Sequence, residues 1–210
     1  MKVESVNIGN IKYYDWGKGV LSAIHKKSVV GSLYLTSTGF KEDEQANLKS
    51  HGGEDKAVLV IPVENYPFFN IDNDFGFLGE NLSISGLDET RLQIGDRLII
   101  GDVVLEVSQP RSPCAKLGEL VGKKDFVKHY SSSGRVGFYC RVIQQGNLAE
   151  NMAVTIVKTD EQSVSISELF VSQFMAKKTD LDLKNIKIAL ATSALSDAWR
   201  IKLSKLNLSN

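Results

Sequence analysis

RLIIGDVVLEVSQPRSPCAKL, residues 97–117, sets two strand-like runs on either side of a Gly101-Asp102 turn and changes character at Pro110. The dipeptide is a hairpin signal, because both turn residues tolerate positive φ. In the second run Val103, Leu105 and Val107 alternate with Val104 and Glu106, so one face of that strand points inward. The ten residues that follow hold two prolines, an arginine, a lysine and one of the chain's two cysteines.

Outward from this hairpin, short β-branched and apolar runs bounded by Gly, Asp or Asn recur: KVESVNIG (2–9), SLYLTST (32–38), KAVLVIP (56–62), NLSISG (81–86) and GFYCRVI (137–143). So many short strands predict a closed or nearly closed barrel over a doubly wound sheet. Helix signals are scarce before residue 160. There the pattern changes. In VSISELFVSQF (164–174) Ser165 precedes Glu168 by three, the spacing of a capping box, with Val164 and Leu169 placed to staple across it. Ile166, Leu169, Phe170 and Phe174 share one face, and two shorter helical patterns follow at Leu183–Ala191 and Asp197–Leu206. We expect a β-barrel domain over residues 1–160 and a three-helix segment over 161–210, its apolar positions packing among the helices.

The 25 basic residues balance the 25 acidic ones, so no broad field exists to draw in nucleic acid or an anionic membrane. MKVESVNIGN lacks the apolar run of a signal peptide, and no stretch approaches the roughly 20 apolar residues that span a bilayer. A cytoplasmic protein with no membrane partner is the expectation. Two cysteines, Cys114 and Cys140, and three dispersed histidines supply neither a disulfide framework nor zinc-ligand spacing.

Pro113 fits the first position of a helix running through CAKLGELVG. Cys114 would then sit in the first turn, where unpaired N–H groups, Arg111 and Lys116 favour thiolate over thiol. A thiolate is a nucleophile and a soft-metal ligand; a small apolar filler is the other reading of a free cysteine. Cys140, inside a strand-like run, reads as packing. In HGGEDKAVLV the backbone N–H groups of Gly52 and Gly53, beside His51, suit an anion, and a turn made for geometry alone suits them equally. Glu80-Asn81 presents an acceptor and an amide, or plain loop polarity. Arg135 and Arg141, six apart, share a face if one strand holds both; they fit a phosphate or an ordinary surface.

Taken together and in this order, HGGEDKAV, FGFLGENLSISGL, IGDRLIIGDVVLEVSQPRSPCAKL and GFYCRVIQQG resemble the MOSC domain, named for the carboxyl end of molybdenum cofactor sulfurases. The likeness covers most of residues 25–150. It is greatest to the small stand-alone bacterial type with a carboxyl-terminal "3-alpha" segment. The resemblance implies a mainly β, MOSC β-barrel-like fold with peripheral helices and a pterin molybdenum cofactor (molybdopterin) whose metal is held by Cys114. Carried over, His51, Gly52 and Gly53 match the family's HGG turn, Glu80 and Asn81 its GEN, and Arg111 its QPR. These residues, with Lys56 and Lys116 matched more loosely, are expected to bind the cofactor, Arg111 and Lys56 near its phosphate.

The implied activity is reduction of N-hydroxylated compounds such as 6-hydroxylaminopurine, a detoxification of base analogues, with His51 or Glu80 supplying the proton beside the Cys114-held metal. Ala115 departs from the larger aromatic residue that relatives place after the cysteine, which implies a more open pocket mouth. The iron–sulfur segment of larger relatives is not seen, so electrons are expected from a separate flavin or ferredoxin-type donor. A persulfide carrier on Cys114 and a non-catalytic carrier of the cofactor are the alternative functions.

Overall fold

The computed structural model describes residues 1–47, 52–159 and 162–206. The hairpin read from residues 97–107 is present. β9 (Arg97–Ile100) and β10 (Val103–Pro110) pair antiparallel in the register Val103↔Ile100 and Leu105↔Leu98, and Gly101 turns the chain at φ 58°. The other anticipated runs are β1 (Lys2–Ile8), β5 (Leu33–Thr36), β7 (Val58–Pro62), β8 (Leu82–Ser85) and β11 (Phe138–Gln144). Pairs too short to show a period complete the set: β2 (Lys12–Tyr14) with β3 (Val20–Ser22), β4 (Lys27–Ser28), β6 (Gly39–Phe40), β12 (Gly146–Leu148) and β13 (Thr155–Val157).

The main sheet has eight strands in the order β13-β9-β10-β11-β7-β8-β1-β4, all neighbours antiparallel except β7 and β8. It curls until its two sides meet. Val3 N–H donates to Met152 O, Asn151 N–H to Val3 O and Val154 N–H to Met1 O, which joins the start of β1 to the run leading into β13. Within, Val58, Val60, Leu98, Leu105, Val107, Phe138 and Cys140 are fully buried. β7 is buried at all five positions, as a strand covered on both faces must be.

Short helices interrupt the barrel: α1 (Asn65–Phe68), α2 (Ala115–Val121) and α3 (Phe126–Ser132), of which only α2, in the stretch opened by Pro113, was anticipated. At one to two turns each they are too short to display a helical period. The carboxyl-terminal segment holds α4 (Ile166–Phe174), α5 (Asp180–Ala191) and α6 (Asp197–Ser204). Ser165 and Glu168 form the anticipated capping box, and Thr179 with Asp182 forms a second.

These helices do not pack only among themselves, contrary to the sequence expectation. Ile166 N–H donates to Leu92 O, Ile94 N–H to Val164 O and Ser196 N–H to Ser108 O, and Leu169, Phe170, Trp199 and Leu203 join the barrel's own apolar cluster. The buried stripe of α4 is thus aimed at β10. Phe174 is not on it: it is 41% exposed and stacks on Phe170 at 5.9 Å.

Candidate functional site

β11 and β7 bring Tyr139 directly opposite Leu59. Phe138, Cys140, Val58 and Val60 point into the barrel, so by strand alternation this pair lies on the outer face. There it floors a cleft walled by Ser22–Ile24, Lys26, Asp43–Asn47, Lys56, Gly79, Asn81, Arg111, Ser112, Cys114 and Lys116. Counted out to its open mouth the cleft holds about 720 Å³, in the size range of ligand clefts.

Cys114 enters the cleft at the head of α2. The helix begins two residues later than the sequence suggested: Cys114 is its N-cap, with φ −110° and ψ 164°, and Pro113 lies outside it. The residue before a proline is held extended, and the chain stays extended through Cys114 before turning. The Cys114 carbonyl accepts from Leu117 N–H at 3.0 Å, while its side chain makes no cap bond. The thiol, half-buried, is therefore left to the cleft.

Arg111 lies at the other side of that turn, 5% exposed, its N–H held by Gly137 O at 3.0 Å. Burial works against its charge, but Tyr130, Tyr139, Cys114 and Glu80 around it hold its pKa above the usual guanidinium value. Its Nη1 is buried without a partner among the described residues, which for a cation marks a place where an anionic group belongs. Gly79 opens the space beside it. At φ 92° a Cβ there would come within 3.0 Å of Ile24 O and 3.7 Å of Arg111 Nη2.

The two residues of the GEN stretch part company. Glu80 is fully buried and does not wall the cleft: its Oε1 accepts from Tyr66 Oη at 2.6 Å, Gly76 N–H at 2.8 Å and Ser83 Oγ at 2.9 Å, and its Oε2 has no partner among the described residues. Burial pushes the Glu80 carboxyl up despite those three donors. Asn81 does line the cleft, with its amide engaged. Oδ1 accepts from Leu59 N–H at 3.1 Å, and Nδ2 donates to Asp43 Oδ2 at 2.9 Å and to Asn7 O at 3.3 Å.

Gly53, at φ 94°, opens the 3₁₀ turn Glu54–Lys56 and accepts from Lys56 N–H at 3.0 Å, with Gly52 preceding it. This turn delivers Lys56 to the cleft, where partial burial lowers its ammonium pKa against the pull of Asp55. Lys116 also lines the cleft, its Nζ donating to Leu21 O at 3.3 Å. His51 lies outside the described residues.

Arg135 and Arg141 are elsewhere. Arg135 precedes β11 and stacks over Phe68 at 4.6 Å. Arg141 is bound to Asp55 at 2.5 Å, Glu106 at 2.9 Å and the Ala194 carbonyl at 2.9 Å. They share no strand, so their spacing carried no information about facing. Lys26 and Asp43, the buried ion pair of the cleft wall, went unnoticed in the sequence, because they come from two loops with no motif of their own.

Among the described residues no group of three or more His, Cys, Asp or Glu could hold a metal ion. A metal in this cleft would rest on Cys114 and on ligands brought with it. One thiol beside a guanidinium with an unpartnered Nη1 among the described residues, Lys56 and Lys116 suits a phosphate-bearing organometallic cofactor, since soft sulfur takes the metal and the cations take the phosphate. The described residues fit such a group.

The MOSC domain family model matches residues 47–156. Uncharacterized protein YflK of Bacillus subtilis is 34% identical, the match covering 97% of this chain and 93% of the relative. Protein YiiM of Escherichia coli is 33% identical over 97% and 92%. A Gibberella moniliformis protein named reductase is 33% identical over 73% of this chain, which covers 28% of its length. The crystal structure of YiiM from Geobacillus stearothermophilus superposes with a TM-score of 0.77 at 25% identity, covering 97% of both chains. With the Cys114 cleft, the barrel and the carboxyl-terminal helices in place, the matches agree on one family: the chain belongs to the MOSC domain proteins.

Proposed function

We propose that this protein is a molybdenum-cofactor-dependent reductase of N-hydroxylated compounds, with the cofactor held in the cleft through Cys114. The observation that carries this reading is the placement of the Cys114 thiol in one cleft with a buried Arg111 whose Nη1 lacks a partner among the described residues. The family and the reductase name of the fungal relative support it.

When bound, the cofactor supplies two-electron chemistry that takes the oxygen of an N–O bond. In sum, a hydroxylamine, two electrons and two protons give an amine and water. This chain's residues bind, orient and deliver protons. Cys114 anchors the metal; Arg111, Lys56 and Lys116 neutralise the phosphate end. Tyr139 and Leu59 floor the cleft with an aromatic and an aliphatic surface against which a flat base or pterin packs. His51, matched by the family's HGG turn and outside the described residues, is the candidate proton donor. Glu80, behind the wall, holds Tyr66, Gly76 and Ser83 in place.

The test is molybdenum content and turnover of 6-hydroxylaminopurine with a chemical reductant, wild type beside Cys114→Ser, in protein from a cofactor-competent host. Near-stoichiometric metal and turnover, both lost in the variant, support the reading. Metal retained at wild-type level in Cys114→Ser overturns thiolate anchoring. Protein without molybdenum whose thiol carries a persulfide moves the assignment to sulfur transfer.

A further inference from the structure

Among the described residues none from the carboxyl-terminal helices lines the cleft, yet the start of α6 is hydrogen-bonded to both segments that bring Arg111 and Lys56 into it. On one side is the end of β10. Ser196, the N-cap of α6, donates from its N–H to Ser108 O at 3.0 Å and from its Oγ to Gln109 Oε1 at 2.8 Å, while the Oγ accepts from Trp199 N–H at 3.2 Å. Arg111 follows Gln109 by two residues. From farther along α6, Lys202 Nζ lies 3.5 Å from Ser112 Oγ, so the helix touches the chain on both sides of Arg111.

On the other side is the 3₁₀ turn that delivers Lys56. Asp55 Oδ2 accepts from Asp197 N–H, the first of α6, at 3.1 Å; its Oδ1 accepts from Arg141 Nε at 3.0 Å, and its carbonyl from Ser108 Oγ at 2.6 Å. The first N–H groups of a helix have no partner inside it and favour a carboxylate. One residue of the turn is thus held by α6, β11 and β10 together, and Lys56 is the next residue. Arg141 is braced in turn by Glu106 and by the Ala194 carbonyl just ahead of α6, each at 2.9 Å.

Trp199 and Leu203 already fix α6 to the barrel through apolar contacts, which tolerate sliding. Buried hydrogen bonds do not, and a network with every member satisfied specifies one arrangement. Ser108, Gln109 and Ser196 are buried, and none of them leaves a buried side-chain atom without a partner. We propose that the start of α6 is a positioning element of the cleft, which through Asp55 and through Ser108 and Gln109 sets Lys56 relative to Arg111 and so the grip on a phosphate group. The purpose rests on the cofactor reading of the cleft; the placement rests on these hydrogen bonds.

The test is made in the full chain with Asp197→Pro, which removes the N–H that Asp55 accepts and puts a carbon in the place of the hydrogen. Proline suits the first helical position, and Ser196, at φ −60° and ψ 150°, already has the extended conformation that a following proline demands. Asp197→Ala, which keeps the N–H, is the matched control, and Asp55→Asn removes the charge from the other partner. Thermal melts establish folding. Affinity for inorganic phosphate is read by phosphorus NMR on cofactor-free protein. The titration of Lys56 is read by carbon NMR on reductively methylated protein, its signal assigned with Lys56→Arg.

Asp197→Pro and Asp55→Asn should weaken phosphate binding about fivefold or more, the scale on which effects pass between coupled sites, and should displace the Lys56 titration. Asp197→Ala should keep both near wild type. Identical behaviour of the proline and alanine variants would overturn the proposal. Should Asp197→Pro not fold, wild-type phosphate affinity in Asp55→Asn would overturn it as well. A wild-type protein that binds no phosphate, with the Lys56 titration still moved by Asp197→Pro and not by Asp197→Ala, would strike the cofactor reading and uphold the positioning.

Discussion

Lys26 Nζ lies 2.6 Å from Asp43 Oδ2 in an ion pair whose side chains are 8% and 4% exposed. Asp43 is also the acceptor for Gly9 N–H at 2.8 Å and for the Asn81 amide, so one carboxylate ties the first strand, the cleft loop and the start of β8. Removing one partner of a buried pair leaves the other charge uncompensated, at a cost of about 3–5 kcal/mol. Asp43→Ala should therefore lower the urea midpoint steeply. Lys26→Met with Asp43→Leu should recover the part due to the stranded charge but not the part due to Gly9 N–H and the Asn81 amide, which lose their acceptor.

The two thiols should separate in a titration with an aromatic disulfide. Cys114 is half-buried at the cleft; Cys140 is fully buried and burial pushes its thiol far up. One equivalent should react in the native protein and a second only in denaturant, with Cys114→Ser abolishing the native reaction and Cys140→Ser leaving it intact.

Glu89 is a second buried carboxyl, outside the cleft. Burial raises its pKa from 4.5 to about 7, against the donors Asn65 Nδ2 at 2.8 Å and Gly137 N–H at 2.6 Å and the nearby charge of Arg135. Between those two pH values the folded chain binds a proton that the unfolded chain has lost. Stability therefore falls as pH rises through this window, and above about pH 7 the full cost applies. At about 1.4 kcal/mol per pH unit the cost is about 3 kcal/mol. Glu89→Gln should match wild type near pH 4.5 and exceed it by about 2–3 kcal/mol at pH 8 in denaturant melts. The neighbouring Asn65 Oδ1, buried without a partner among the described residues, is the acceptor that the new amide would use once the Asn65 amide flips.

Gly79→Ala tests the opening beside Arg111. With φ at 92° and Ile24 O at 3.0 Å from the added carbon, the substitution strains the backbone and presses on the cleft wall. The expected loss is about 1–3 kcal/mol in thermal melts, with reduced molybdenum occupancy in the isolated protein.

Arg111→Ala should lower that occupancy through loss of a charge-assisted contact, without lowering turnover per bound molybdenum. Elemental analysis beside activity separates the two.

The strands were legible where period and turn chemistry coincided, as at Val103–Val107 and Gly101, and α4 announced itself through Ser165 and Glu168. Of the barrel helices only α2 was legible, through the start signal at Pro113; α1 and α3, of four and seven residues, show no period. In the cleft, local sequence pointed to Cys114 and Arg111 because proline and cations crowd them. It placed Glu80 in the same site as Asn81, although the Glu80 carboxyl turns inward to Tyr66, Gly76 and Ser83, and it overlooked Lys26 and Asp43, whose meeting depends on loops 17 residues apart. Burial of an ion pair is a property of the fold and leaves no mark on either residue alone.

The seam where β1 meets the run before β13 joins residues 149 positions apart, as in Lys2 Nζ to Asn151 Oδ1. On a ribosome β1 must wait for about 150 further residues before this edge is covered. At synthesis rates of about 5–20 residues per second that wait is many seconds, and the unpaired edge of an apolar strand is a template for aggregation throughout it. The charged Lys2 and Glu4 on β1, ion-paired at 3.1 Å in the finished barrel, stand where they guard that edge during birth.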